Sequence, residues 1–151
     1  MATEKKPTIL CIDDYENSLI GRQMLLEGEG YDVVSATDWR NGLQLFASRA
    51  IDEVVLDYGM PGMTGDVIAS HMKQIKPTVP ILMVSGDGPL PRDKLKPVEA
   101  FLPKMEPIAS FLATVKLLLN SSERAKATHQ RLDRREDNPD FSRPTLGSRA
   151  A

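Results

Sequence analysis

The chain has 151 residues, a net charge of −2, 41% hydrophobic and 26% charged residues, and a single cysteine. These values fit one folded domain with enough apolar surface for its own core. They exclude an intramolecular disulfide and a cysteine-rich zinc site, and they offer no bulk positive charge for gripping nucleic acid. The two histidines, His71 and His129, stand apart with no metal-ligand spacing. No apolar run nears the roughly 20 residues of a membrane helix, and no apolar signal core follows the charged N-terminus. A cytoplasmic protein without membrane contact is the expectation.

In chain order, residues 8–12 form a short apolar run that ends in Asp13-Asp14. Residues 18–27 place Leu19, Ile20, Gln23, Met24 and Leu26 at helical spacing, and Gly28 and Gly30 close that helix. A β-branched strand follows over 31–36. The next helix, 39–49, carries Leu43, Phe46 and Ala47 on one face. Residues 53–56 read as a buried strand stopping at Asp57. Residues 65–75 put Val67, Ile68, Met72 and Ile75 in helical register, closed by Pro77. Strand 81–84 stops at Ser85, and strand 98–102 is followed by Lys104. Residues 108–119 form a helix with a wide apolar face: Ile108, Phe111, Leu112, Val115, Leu118 and Leu119.

Composition changes near residue 120. Residues 121–151 hold seven Lys/Arg, five Asp/Glu and only three large apolar residues, Leu132, Phe141 and Leu146, too few to offset the entropy of ordering them. The chain thus divides into an N-terminal extension (1–6), a folded domain (7–120) and a charged tail (121–151). Residues 121–136 have the composition to prolong the preceding helix; 137–151 read as disordered.

Five apolar strands alternating with helices imply a parallel sheet covered on both faces. Ligands of such a sheet sit at the carboxyl ends of its strands, where strand order reverses. Those ends carry Asp13 and Asp14, Asp57, Ser85 and Lys104. Taken singly, an Asp-Asp pair is a turn or helix cap, and an Asp before Gly-Met-Pro-Gly is a turn residue. Together they bring three carboxylates, a hydroxyl and an amine to one sheet edge. Crowded carboxylates call for a hard cation, and magnesium, which takes oxygen ligands and keeps several waters, suits them. Lysine and a hydroxyl are donors for phosphate oxygens. The edge is suited to phosphoryl chemistry with one carboxylate as acceptor.

The segments ILCIDDYENS (9–18), VVLDYGMPGMTG (54–65), ILMVSGDG (81–88) and AFLPK (100–104) strongly resemble the receiver domain of two-component response regulators, of the stand-alone type. The resemblance covers 7–120 and implies an α/β, flavodoxin-like, doubly wound five-stranded parallel sheet. It also implies the following roles. Asp57 would accept a phosphoryl group from a histidine kinase or phosphotransfer protein. Asp14 would be a direct Mg2+ ligand and Asp13 an acidic neighbour acting through water, with the backbone carbonyl of Gly59 completing the protein ligands. Ser85 would be the switch hydroxyl, Lys104 the partner of the phosphoryl oxygens, and Phe101 the aromatic switch position.

The chain departs from the family pattern in four places. Met105 follows Lys104 where proline with a cis peptide bond is usual, so that bond is either cis at a cost of roughly 3–4 kcal/mol or trans with a re-aimed lysine. Gly59 replaces a larger side chain and Gly86 replaces an alanine. The interval from Ser85 to Lys104 is short, and Pro89, Pro91 and Pro97 lie within it. Proline inside a helix removes a hydrogen bond and clashes with the turn before it. The fourth helix, between the fourth and fifth strands, is therefore expected to shrink to about one turn or vanish.

The expected function is a phosphorylation-controlled switch, not an enzyme, that acts through an unidentified downstream protein, without nucleic acid, as a monomer. The rival is a phospho-independent interaction module with the same fold. A haloacid-dehalogenase-type enzyme would need Asp-x-Asp after the first strand, and a flavodoxin a Ser/Thr-Gly-rich phosphate loop; Asp13-Asp14-Tyr15 supplies neither. Trp39 and Phe46 read as packing residues, His71 as a solvated helix residue, and Cys11 as a small buried hydrophobe.

Overall fold

The computed structural model describes residues 5–136. Five strands, β1 (Thr8–Ile12), β2 (Asp32–Ala36), β3 (Glu53–Asp57), β4 (Ile81–Ser85) and β5 (Ala100–Pro103), form one parallel sheet in the order β2-β1-β3-β4-β5. The helices are α1 (Glu16–Gly28), α2 (Trp39–Ser48), α3 (Gly65–Ile75) and α4 (Ile108–Glu136). Strand order reverses between β1 and β3, so the ends of those two strands open onto the crevice where such sheets bind ligands.

Alternation along the strands sorts the core into two layers. Leu10, Ile12, Val54, Leu56 and Ile81 pack against Phe46 of α2 and Ile68, Ala69 and Met72 of α3. Ile9, Cys11, Val55, Leu82 and Val84 pack against Leu19 and Leu26 of α1 and Phe111, Val115, Leu118 and Leu119 of α4. Both faces are covered, as near-continuous apolar strands require.

Most boundaries fall within a residue or two of the periodicity. α1 starts at Glu16, two residues before the apolar pattern begins. The Asp13 carboxylate accepts the Tyr15 N–H at 2.9 Å, and the Tyr15 carbonyl accepts Ser18 N–H at 3.1 Å, so the polar turn after β1 is already wound toward the helix. Asp38 caps α2 by accepting the Asn41 N–H at 2.8 Å. β5 starts later than the apolar run, at Ala100 rather than 98.

Between β4 and β5 the fourth helix is reduced to one 3-10 turn, Arg92–Leu95, as the prolines require. α4 is a single helix of 29 residues, so residues 121–136 do prolong it. The expectation of disorder over 137–151 lies outside the described residues, as does most of the N-terminal extension. No cis peptide bond occurs among the described residues, so the bond between Lys104 and Met105 is trans. Nor, among them, is any helix long and apolar enough to cross a membrane.

Candidate phosphoryl-acceptor site

The parallel register sets the site. Ile12 pairs with Leu56, Asp57 with Val84, and Ser85 with Pro103, so the residues just beyond β1, β3, β4 and β5 finish at one level. Backbone bonds tie these ends together. Tyr58 N–H donates to the Val84 carbonyl at 2.9 Å, and Lys104 N–H donates to the Ser85 carbonyl at 2.9 Å.

Carboxylate oxygens of Asp13, Asp14 and Asp57 lie within 4.8 Å of one another. Asp13 and Asp57 are buried, whereas Asp14 is exposed at the mouth. Lys104 spans the two buried acids, its Nζ 3.1 Å from Asp13 Oδ2 and 3.3 Å from Asp57 Oδ2. The bond ahead of Met105, which is itself 93% exposed, is trans, and Lys104 reaches both buried carboxylates with it so.

The two buried acids differ in their surroundings. Burial pushes the Asp13 carboxyl up, but the Tyr15 N–H, Lys104 and Arg22 outweigh burial and hold it below the usual carboxylate range. Burial, then the neighbouring charge of Asp13, raises Asp57; Lys104 and the Gly59 N–H, at 3.4 Å from Oδ1, offset this only in part. Asp13 is thus the fixed anion of the site. Of the two buried acids, Asp57 is the less compensated.

Gly65, the first residue of α3, lets that helix start directly against β3. A Cβ there would sit 2.8 Å from the Asp57 carbonyl oxygen and 2.8 Å from Tyr58 Cα. Gly59 has room for a side chain: a Cβ there would meet only Asp87 Oδ2 within 4 Å, at 3.7 Å. Gly86 is similarly open, the nearest atom to an added Cβ being Lys104 Cδ at 3.7 Å.

Ser85 is buried, and its hydroxyl oxygen accepts the Asp87 N–H at 3.2 Å; it makes no hydrogen bond to Asp57 among the described residues. Phe101 is half-buried opposite Met83 in the ladder. It alternates with Ala100 and Leu102, which pack in the layer of α1 and α4, so it lies on the opposite face of the sheet.

Sequence reading missed Arg22. It sits on α1 between Leu19 and Leu26, and its Nη1 donates to Asp13 Oδ2 at 2.9 Å. The signal was present: positions 19, 22 and 26 form one helical stripe, and a charge on a buried stripe implies a buried counter-charge. Asp87 was missed too; its carboxylate lies beside Gly59.

A family model, the response regulator receiver domain, matches residues 9–99. The chain belongs to that family. Receiver domains are phosphorylation-type signalling switches, and this one carries an acidic group, Asp13, Asp14 and Asp57, at its strand ends. The receiver domain is 30% identical over 84 residues to the autoinducer 1 sensor kinase/phosphatase LuxN of Vibrio campbellii, covering 56% of this chain and 10% of that protein. It is 35% identical over 78 residues to the alkaline phosphatase synthesis transcriptional regulatory protein PhoP of Bacillus subtilis, covering 52% of this chain and 32% of that one. The match thus spans no more than a third of either relative. Among solved structures, a receiver domain protein (CheY-like) from Methanospirillum hungatei aligns with a TM-score of 0.77 at 24% identity, covering 80% of this chain and 99% of its own. The signal receiver domain of an HD domain-containing protein from Pseudomonas fluorescens aligns with a TM-score of 0.75 at 26% identity, over 80% and 99% of the two chains.

Proposed function

We propose that this receiver domain accepts a phosphoryl group on Asp57 from a histidine kinase or phosphotransfer protein, and signals through contacts with a downstream protein. The observation that carries this reading is the convergence of the Asp13, Asp14 and Asp57 carboxylates within 4.8 Å, with Lys104 bridging the two buried ones.

In the transfer, an Asp57 oxygen forms a bond to phosphorus as the phosphorus–nitrogen bond of the donor phosphohistidine breaks. The electron pair of that bond returns to the imidazole. Asp57 suits the acceptor role because Lys104 reaches it and because Gly59, whose N–H lies against it, has no side chain to stand in a donor's way. Lys104 holds Asp57 in place before transfer and is positioned to pair with a phosphoryl oxygen afterwards. Ser85 is the hydroxyl proposed to turn toward that phosphoryl group, and Phe101 the aromatic residue proposed to follow it.

The donor set, hard carboxylate oxygens with one acid exposed, fits magnesium. Asp14, Asp57 and the Gly59 carbonyl would hold it, with Asp13 acting through water; when bound it would neutralise charge on the carboxylates and the incoming phosphoryl oxygens. The chain is then a phosphorylated switch rather than a turnover catalyst, a monomer acting in the cytoplasm without nucleic acid, with residues 7–120 as its folded unit.

Beryllofluoride, a phosphoryl mimic, tests this reading. With magnesium present, it is expected to shift backbone amide resonances around Asp57 and Ser85 in the wild type and to leave Asp57→Asn unchanged. Asp14→Ala should abolish the magnesium-dependent shifts. Equal beryllofluoride shifts in wild type and Asp57→Asn would place the ligand elsewhere.

A further inference from the structure

We propose that Arg22 is a positioning residue for the phosphoryl switch: it is the standing counter-ion of Asp13, and it frees Lys104 to leave Asp13 for a phosphoryl oxygen on Asp57. This rests on Asp57 being the acceptor.

The contacts of Asp13 carry the argument. Its Oδ1 accepts the Tyr15 N–H at 2.9 Å; its Oδ2 accepts Arg22 Nη1 at 2.9 Å and is ion-paired with Lys104 Nζ at 3.1 Å. Asp13 is fully buried, and the Arg22 side chain is only 13% exposed. Removing the sole partner of a buried charge is costly, because the stranded charge keeps its desolvation penalty. Lys104 already contacts Asp57 as well; were it the only cation on Asp13, giving up Asp13 for a phosphoryl oxygen would incur that penalty at each phosphorylation. With Arg22 in place, Asp13 stays paired whether or not Lys104 leaves it.

Arginine suits the fixed role and lysine the mobile one. A guanidinium is planar, permanently charged and geometrically exacting; an ammonium on a flexible stem is a point charge that re-aims easily. Their placement agrees. Arg22 reaches in from mid-helix, locked between Leu19 and Leu26 on the buried stripe of α1, whereas Lys104 follows a strand end and is 26% exposed. Both side chains line one cleft of about 120 Å³, together with Leu102 and Phe111.

A second consequence has the opposite sign. Arg22 adds a permanent positive charge against the acidic group, so it weakens magnesium binding there while strengthening phosphoryl-dependent switching. A residue that only stabilised the fold would not move the two in opposite directions.

The experiment compares wild type, Arg22→Met and Arg22→Lys in the full chain. Magnesium affinity without phosphodonor and beryllofluoride affinity at saturating magnesium are read from amide chemical shifts. Arg22→Met is expected to bind magnesium roughly 5- to 20-fold more tightly, from the loss of one nearby positive charge. It should bind beryllofluoride at least about 5-fold more weakly, because Lys104 is now retained by Asp13. Arg22→Lys, which keeps the charge, should return both values most of the way to wild type. If Arg22→Met does not fold, Arg22→Gln is read the same way. Wild-type values for both ligands in the neutral variant, or a change of the same sign in both, overturn the proposal while leaving the acceptor reading intact. Failure of the wild type to bind beryllofluoride at all overturns the acceptor reading and this proposal with it.

Discussion

Glu53, on the first position of β3, is fully buried, and neither of its carboxyl oxygens has a hydrogen-bond partner among the described residues. Burial, with a further push from Glu99, raises its pKa to about 9. The folded protein therefore holds a proton there that the unfolded chain releases near pH 4.5. Stability from this group is complete below that pH and is lost as pH climbs toward about 9. Denaturant melts between pH 5 and 9 should show falling stability in the wild type and a flatter profile in Glu53→Gln. Glu53→Leu, which replaces the unpaired carboxyl by an apolar group, should be more stable than wild type at pH 8 by on the order of 1–3 kcal/mol. Gly65 is the opposite case, a residue that cannot grow. Gly65→Ala forces a Cβ against backbone atoms of Asp57 and Tyr58 at 2.8 Å, and should cost about 1–3 kcal/mol in urea melts. Cys11 is chemically quiet: burial pushes its thiol up to about 12, so alkylation in the folded state should be negligible.

At the scale of elements, the sheet and four helices were legible because strand runs and helical stripes alternate cleanly, and punctuation residues sit where the chain turns. The lost fourth helix was legible too, from Pro89, Pro91 and Pro97. The early start of α1 was not, because it depends on the Asp13 side chain holding the Tyr15 N–H, a polar contact that periodicity does not record. Among the site residues, Asp13, Asp14, Asp57 and Lys104 could be placed from the strand ends alone, since parallel register aligns those ends. Arg22 enters from the side, along a helix, and so escaped a search confined to strand termini. Val98 and Glu99 anchor the end of the β4–β5 segment, but its residues 86–97 carry one 3-10 turn and one partly exposed ion pair, Lys94 Nζ to Asp66 Oδ2 at 3.4 Å. Such a pair adds little stability. Hydrogen exchange should therefore be fast across residues 86–97, and this segment should show the largest change on adding beryllofluoride. Slow exchange across 90–96 would reveal a helix that the prolines forbid.

At the scale of the whole molecule, apolar packing of α4 ends at Leu119, while the helix continues to Glu136, roughly 25 Å further. Residues 123–134 are exposed and bury nothing in the core. Removing 121–151 should shift the melting temperature by no more than a few degrees, which calorimetry can check; a large loss would place part of the tail in the folded unit. With its fourth helix reduced to a turn, the receiver domain lacks one packing face for self-association, so light scattering should give a monomer with and without beryllofluoride. The central claim is that Asp57 takes the phosphoryl group. Intact-mass spectrometry after incubation with acetyl phosphate and magnesium tests it most directly. Wild type should gain about 80 Da, one phosphoryl group, and Asp57→Asn should gain nothing. An equal adduct on both proteins, or none on wild type, contradicts the account.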